Sequence, residues 1–184
     1  MRKILVIFAV FYFVSHCLHA DPGKPTSTCH LAEMQQIIDT QRKESLLLIK
    51  NNGLSDSVNK KPYCVFYMSG CRGIGAWMVV VSNQSDYHIY FTDSFEAVQN
   101  HQYKTICLSK EDEDVQLLFS QQFLKESKMS LNYKIGLTTF YYFGLFNENG
   151  NLIFDFNQSL LFKNSKTQRK ILSICLKFIL PDLI

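Results

Sequence analysis

Cysteine is the residue type in this chain with the widest chemical repertoire, because a thiol can form a disulfide, ligate zinc or act as a nucleophile. Cys64 and Cys71 lie seven positions apart, and neither a C-x-x-C nor an H-x-x-x-H pair accompanies them. This spacing does not indicate a metal site, and we predict none. Which other use applies depends on export, since disulfides persist in oxidising compartments. The cysteines are Cys17, Cys29, Cys64, Cys71, Cys107 and Cys175.

The start of the chain has the layout of a secretory signal peptide. A positive Met1-Arg2-Lys3 precedes an apolar run, Ile4–Val14, and a mixed, small-residue segment, Ser15–Ala20. We predict cleavage after Ala20, which makes residues 1–20 the signal peptide and residues 21–184 a single secreted domain. As a helix the apolar run rises only about 16 Å, roughly half a bilayer core, which disfavours stable membrane insertion.

Export determines how the remaining cysteines are interpreted. Cys17 leaves with the signal peptide, and an odd number of cysteines meets the oxidising compartment. The sequence alone cannot select among the possible pairings. Because cross-links that close long loops restrict the unfolded chain most, we expect Cys64 to pair with Cys175 and Cys29 with Cys107.

Export also gives meaning to two sequons and to the charge. Asn83-Gln84-Ser85 and Asn157-Gln158-Ser159 predict N-glycosylation at Asn83 and Asn157. Loss of Arg2 and Lys3 with the signal peptide removes two positive charges from a formal net charge of +3. Long-range steering toward nucleic acid is therefore not expected.

The middle of the chain consists of apolar, β-branched or aromatic runs separated by polar or glycine-bearing breaks, which predicts an antiparallel β domain. Asn147–Asn151 predicts a tight hairpin, because Asn-Gly supplies the positive φ angles of such a turn. The predicted strands are Ser45–Lys50, Tyr63–Ser69, Ala76–Ser82, Tyr87–Thr92, Tyr103–Leu108, Val115–Phe123, Leu137–Phe146 and Leu152–Phe162. Helical periodicity predicts a short helix over Leu31–Gln41 and an amphipathic helix over Lys166–Leu180.

Eight sequential strands with short links would leave two edges unpaired unless the sheet closes. We therefore predict a mainly β fold, an eight-stranded antiparallel up-and-down barrel with a short N-terminal helix and a C-terminal amphipathic helix. The alternative is a β-sandwich, in which Trp77 would pack near strands that carry cysteines. A barrel of this size has room for side chains or for one small ligand.

This layout resembles the lipocalins, and in particular the divergent, histamine-binding-like salivary lipocalins of ticks. The specific part of the resemblance is Leu31–Tyr67, with a strand like Glu44–Ile49 and a cysteine-bearing strand like Tyr63–Phe66. The resemblance implies a barrel that sequesters a hydrophobic or biogenic-amine mediator of a host, without catalysis and without a cofactor.

Aromatic rings crowd the last predicted hairpin, and such rings suit a flat or cationic small molecule. A buried ammonium group also needs a carboxylate, for which Asp93, Glu96 and Asp155 are the candidates. Alternation in the last predicted strand places Asp155 on its solvent-facing side, which favours Asp93 and Glu96. The candidate ligand-binding residues are Trp77, Phe91, Asp93, Glu96, Phe119, Tyr142, Phe154 and Phe156. The alternative function is a secreted interaction domain with a filled interior, whose outer face binds a host protein such as an immune factor.

Other segments favour ordinary structural roles. Glu111–Asp114 lacks the alternating ligands and glycine of a calcium loop, which favours a solvated turn. The basic face of Lys166–Lys177 favours a solvated helix. Gly70–Gly75 runs into a predicted strand rather than into the helix that a phosphate loop requires, and no Gly-x-Ser-x-Gly is present. We predict that the chain is not an enzyme.

Overall fold

The computed structural model describes residues 28–70, 73–92, 94–120, 140–159 and 166–179. The chain divides into two compact units, Met1–Ile37 and Ile38–Ile184. In the first unit the described part is the beginning of a helix. The predicted signal peptide, residues 1–20, lies outside the described residues, and the second unit contains all the strands described below.

The second unit is built on a six-stranded antiparallel sheet. Its strands are β1 Tyr63–Gly70, β2 Gly73–Ser82, β3 Asp86–Thr92, β4 Lys104–Ser109, β5 Phe140–Phe146 and β6 Leu152–Ser159. They lie in the order β4-β3-β2-β1-β5-β6. The first four strands form a meander, in which strands consecutive in the chain are neighbours. Strand β5 returns to pair with the other side of β1. Strands β1 and β2 therefore lie in the interior of the sheet.

Helices accompany both faces of the sheet. The helices are α1 Thr28–Asn51, α2 Ser55–Val58, α3 Phe95–Gln99, α4 Glu113–Leu118 and α5 Lys166–Ile179. One core packs α4 and α5 against the sheet and includes Phe66, Met78 and Phe143. The other packs the end of α1 against the opposite face and includes Tyr67 and Trp77. We call these the α5 core and the α1 core.

Burial on both faces explains the apolar character of the inner strands. Every residue is buried over Tyr63–Tyr67, Ala76–Val81 and Tyr141–Phe146. Strands covered on both sides have continuous apolar runs, whereas strands with one wet face alternate. The unbroken run in β2 is thus the sequence signal of a layer on each side of the sheet.

The coarse prediction of a mainly β, antiparallel domain is confirmed, but the closed eight-stranded barrel is not. Among the described strands the sheet is open, ending at β4 and β6. The alternative β-sandwich is not observed either, because the described strands form one sheet with helices on both faces.

Two predicted strands are wrong because their segments are helical. In Ser45–Lys50 the buried residues are Ser45, Leu48 and Ile49, the i, i+3, i+4 spacing of a helix face. The predicted strand Val115–Phe123 begins inside the helix α4. Asp112 caps this helix, because its side chain accepts a hydrogen bond from the Val115 backbone amide at 2.9 Å. Residues 121–123 lie outside the described part of the chain, as do 137–139 and 160–162 of the last two predicted strands.

The predicted hairpin and both helices are confirmed, although α1 is longer than the segment predicted for it. Gly150 adopts a φ of +73° in the turn between β5 and β6. The Asn147 side chain accepts hydrogen bonds from the backbone amides of Asn149 and Asn151 at 3.0 and 2.9 Å. The turn thus supplies its own polar partners.

Replacement of Gly150 by alanine tests this turn. We expect Gly150→Ala to lower the free energy of unfolding by about 1 kcal/mol, because a Cβ disfavours positive φ. Gly75→Ala is the matched control, since a Cβ there has open space around it. Urea unfolding measures both, and equal effects of the two variants would contradict the turn conformation.

Candidate functional site

Buried and part-buried polar side chains meet where α1 lies against the sheet. We call Arg42 and Ser45 of α1, Tyr67 of β1, Tyr142 of β5 and Asp155 of β6 the α1 polar cluster. Strand pairing positions its sheet members: Tyr67 is the Cα partner of Tyr142, and their rings stack at 5.3 Å. The helix places Arg42 and Ser45 on one face, three residues apart.

The ion pair of this cluster joins Arg42 to Asp155. Nε and Nη2 of Arg42 donate to Oδ2 of Asp155 at 3.0 and 2.9 Å, and Nη1 lies 3.3 Å from Asp39. Only 12% of the Asp155 side chain is exposed. Burial opposes the charge on Arg42, but hydrogen bonding and the charge of Asp155 outweigh it and raise the pKa of the guanidinium group. The guanidinium group therefore stays charged in the folded protein.

The two tyrosines donate to carboxylates. The Tyr142 hydroxyl donates to Oδ2 of Asp155 at 3.3 Å, and the Tyr67 hydroxyl donates to Glu44 at 3.0 Å. Burial raises the pKa of both phenols, and the neighbouring carboxylate charges raise it further. Both phenols are therefore neutral donors.

Gly144 makes room for this arrangement. A Cβ at Gly144 would lie 2.7 Å from the Tyr142 hydroxyl, closer than van der Waals contact allows. Because Gly144 has no side chain, the Tyr142 ring can lie along β5 with its hydroxyl directed toward Asp155.

The chemistry of the cluster is that of a docking contact. Arg42 is matched by Asp39 and Asp155, and the buried Ser45 hydroxyl donates to the Arg42 carbonyl at 2.7 Å. The polar groups of the cluster are therefore occupied by partners on the same chain, and together they hold α1 against β1, β5 and β6.

The predicted ligand-binding residues do not share one chamber. Trp77 and Tyr142 belong to the α1 core, whereas Phe91, Phe154 and Phe156 belong to the α5 core across the sheet. Phe119 packs against the α5 core through a stack with Tyr87 at 5.5 Å. Glu96 is exposed on α3, and Asp93 lies outside the described residues. The aromatic rings of each core pack on one another, as Phe143 does on Phe156 at 5.5 Å.

A surface cleft of about 660 Å³ lies at one end of the sheet. Its lining residues are Asn59, Lys60, Lys61, Pro62, Ser82, Asn83, Gln84 and Ser85. Two lysines favour an anion over an amine in this cleft.

The predicted glycosylation sites lie in different settings. Asn83 is on the β2–β3 turn, where its Nδ2 donates to Asp86 at 2.7 Å, and the backbone of Asn157 is within β6. Glycosylation of both stays a prediction.

The acidic segment and the basic helix pair with each other. Asp112 caps α4, and Asp114 lies 2.9 Å from Lys177 and 3.4 Å from Lys170 of α5. The Lys177 hydrogen bond, helped by Lys170, lowers the pKa of Asp114. These contacts tie α4 to α5 over the α5 core.

The described cysteines carry free thiols in two environments. Cys64 and Cys175 are fully buried in the α5 core, and Cys107 is exposed on β4. The side chain of Cys29, and Cys71 as a whole, lie outside the described residues. The expected bond between Cys64 and Cys175 is not formed in this structure. The pairing of Cys29 with Cys107 stays a prediction.

No family model, curated protein or solved structure matches this chain. Within the described residues, no helix is long and apolar enough to cross a membrane. That same part of the chain has no cluster of three or more histidine, cysteine or acidic side chains that could hold a metal ion.

Sequence reasoning missed the α1 polar cluster. It placed Asp155 on the wet face of its strand, although α1 covers that face. The available signal was the helical spacing of Ser45, Leu48 and Ile49, which the continuous apolar run over Leu46–Ile49 concealed.

Breaking the ion pair tests its role in holding α1. We expect Arg42→Met and Asp155→Asn each to lower the free energy of unfolding by about 1–3 kcal/mol, because each leaves a part-buried partner unsatisfied. The double variant should lose less than the sum of the two. Asp39→Asn, at an exposed pair, should cost less than about 1 kcal/mol. Additive single effects in urea unfolding would contradict the contact.

Acid titration tests the contact between α4 and α5. Because the pKa of Asp114 is lowered in the folded state, its stabilisation is complete above the ordinary carboxyl pKa of about 4 and is lost as the pH falls through the lowered value. Wild type should therefore be more stable than Asp114→Asn at neutral pH, and the difference should shrink over that acid range. Asp56→Asn, at an exposed position on α2, is the control. A difference independent of pH would contradict the pairing.

Proposed function

We propose that this chain is a secreted, non-enzymatic interaction domain whose open sheet edge, β4, binds an extended segment of another protein. The observation that carries the proposal is the exposure of β4, in which Leu108 alone is partly buried and the other residues are exposed. Among the described strands β4 has one neighbour, β3. The outer side of such a strand offers backbone donors and acceptors to an added strand.

The filled interior supports surface binding over capture of a small ligand. Both faces of the sheet are packed against helices, and the aromatic residues expected to line a chamber form two separate cores. Capture in a barrel requires a hollow between the strands. The surface cleft, with Lys60 and Lys61, has a chemistry unsuited to an amine.

Two exposed apolar side chains flank this edge, Ile106 on the face of the α5 core and Tyr103 on the face of the α1 core. Ile106 is 36% exposed and Tyr103 is 40% exposed. The Tyr103 ring lies 5.9 Å from Trp77 and 5.9 Å from Tyr90, which holds it in place. A partner segment with apolar residues at alternate positions fits this edge, since main-chain hydrogen bonds supply affinity and alternate side chains supply specificity.

Selection from a displayed library of random linear peptides tests the proposal. We expect wild type to enrich peptides with alternating apolar residues. Ile106→Lys should weaken their binding by about tenfold or more, because it removes the central apolar contact. Leu47→Lys, at an exposed leucine on α1, is the matched control and should bind as wild type does. Failure to enrich any peptide, or equal binding by both variants, would overturn the proposal.

Two proline variants locate the binding edge. In an antiparallel strand the amides of neighbouring residues point to opposite sides, so one of Thr105 and Ile106 faces β3 and the other faces outward. Proline removes the amide donor, so Thr105→Pro and Ile106→Pro should differ in stability. The variant that keeps the wild-type melting temperature is the one in which the lost amide faced outward rather than toward β3. We expect that variant to lose peptide binding, and retained binding would contradict an edge-on mode.

Native mass spectrometry with histamine, serotonin and fatty acids tests the capture alternative. We expect no complex with any of them, because the aromatic rings of both cores are packed. A stoichiometric complex with one of these molecules would favour ligand sequestration instead.

A further inference from the structure

Two cysteines that are far apart in sequence meet in the α5 core. Cys64 lies on β1, with Val80 of β2 and Leu145 of β5 as its Cα partners. Cys175 lies on the buried face of α5, between Ile171 and Ile179. Both cysteines are 0% exposed and belong to the same packed cluster.

The two thiols also interact electrostatically. Burial raises the pKa of both, and a charge on Cys64 would raise the pKa of Cys175 further. Both thiols share the apolar interior of the α5 core, where both are fully buried. In the reduced fold both side chains therefore behave as small neutral apolar groups.

We infer that Cys64 and Cys175 are joined by a disulfide in the exported protein, and that this bond fixes α5 to the interior strand β1. Two S–H bonds break and one S–S bond forms. The two electrons and two protons pass to an oxidising disulfide, such as that of a thiol–disulfide oxidoreductase, which is reduced to two thiols. The inference shares only the expected export with the proposed function and does not depend on the β4 edge.

The structure favours this pair over one that includes Cys107. In the register of β3 and β4, Cys107 is the Cα partner of His88. The next register pair, Tyr87 and Leu108, contacts the α5 core. Because successive side chains of a strand point to opposite faces, Cys107 lies on the other face of the sheet from Cys64 and Cys175. A bond from Cys107 to either of them would require the sheet to open.

Burial also determines when the bond forms. Disulfide exchange proceeds through an accessible thiolate, and the fully buried thiols meet neither requirement once α5 has docked. Oxidation therefore precedes the closure of the α5 core. Protein folded in the reduced state should remain reduced when oxidised glutathione is added without denaturant.

Peptide mapping of protein secreted from eukaryotic cells tests the inference directly. Free thiols are blocked with N-ethylmaleimide in denaturant at acidic pH, without reductant, and the digest is analysed by mass spectrometry. We expect the Cys64 and Cys175 peptides to be linked, with a mass about 2 Da below their sum. The same link should persist in Cys107→Ser. Blocked Cys64 and Cys175, or a link from either to another cysteine as the main product, would overturn the inference.

The role of the bond in fixing α5 has a separate readout. We expect wild type refolded in the reduced state to be cleaved faster by trypsin within α5 than the oxidised protein, and to have a lower melting temperature. The cleavage sites in α5 are Lys166, Arg169, Lys170 and Lys177. In the double variant Cys64→Ala and Cys175→Ala, the rate of cleavage within α5 should be the same after refolding under reducing and under oxidising conditions. Equal cleavage of oxidised and reduced wild type would overturn the proposed role of the bond.

Discussion

The constraint on which the rest of the structure depends is the burial of the inner strands on both faces. Burying a large apolar side chain contributes about 1.5–3 kcal/mol, and β1, β2 and β5 present such side chains to both sides. A single sheet with this character must be covered twice. The helices α1 and α5 provide the two covers, and the space that a barrel would enclose is occupied by the two cores.

Each cover combines apolar packing with an ionic contact that sets its position. Leu48 and Ile49 anchor α1, while Arg42 and Asp155 fix it over β6. On the other face, Ile171 and Ile174 anchor α5. Asp114 of α4 pairs there with Lys170 and Lys177 of α5. Apolar contacts are non-directional, so the ionic contacts supply the orientation.

The sequence was informative where local pattern and tertiary burial agree. Alternation in β3 and the Asn-Gly turn before β6 predicted a strand and a hairpin correctly. Leu46–Ile49 was ambiguous, because a short apolar run fits a buried strand and a helix equally well. The pairing of Arg42 with Asp155 depends on docking between distant segments, which no local period encodes. For the same reason, sequence alone could not separate Trp77 and Phe91 onto opposite faces of the sheet.

Nuclear Overhauser contacts with backbone chemical shifts test most directly the claim that helices fill both faces of an open sheet. The account predicts helical shifts over Ser45–Lys50, contacts from Leu48 to the α1 core, and contacts from Ile174 to the α5 core. Extended shifts over Ser45–Lys50, together with backbone contacts between β4 and β6, would indicate a closed barrel and contradict it.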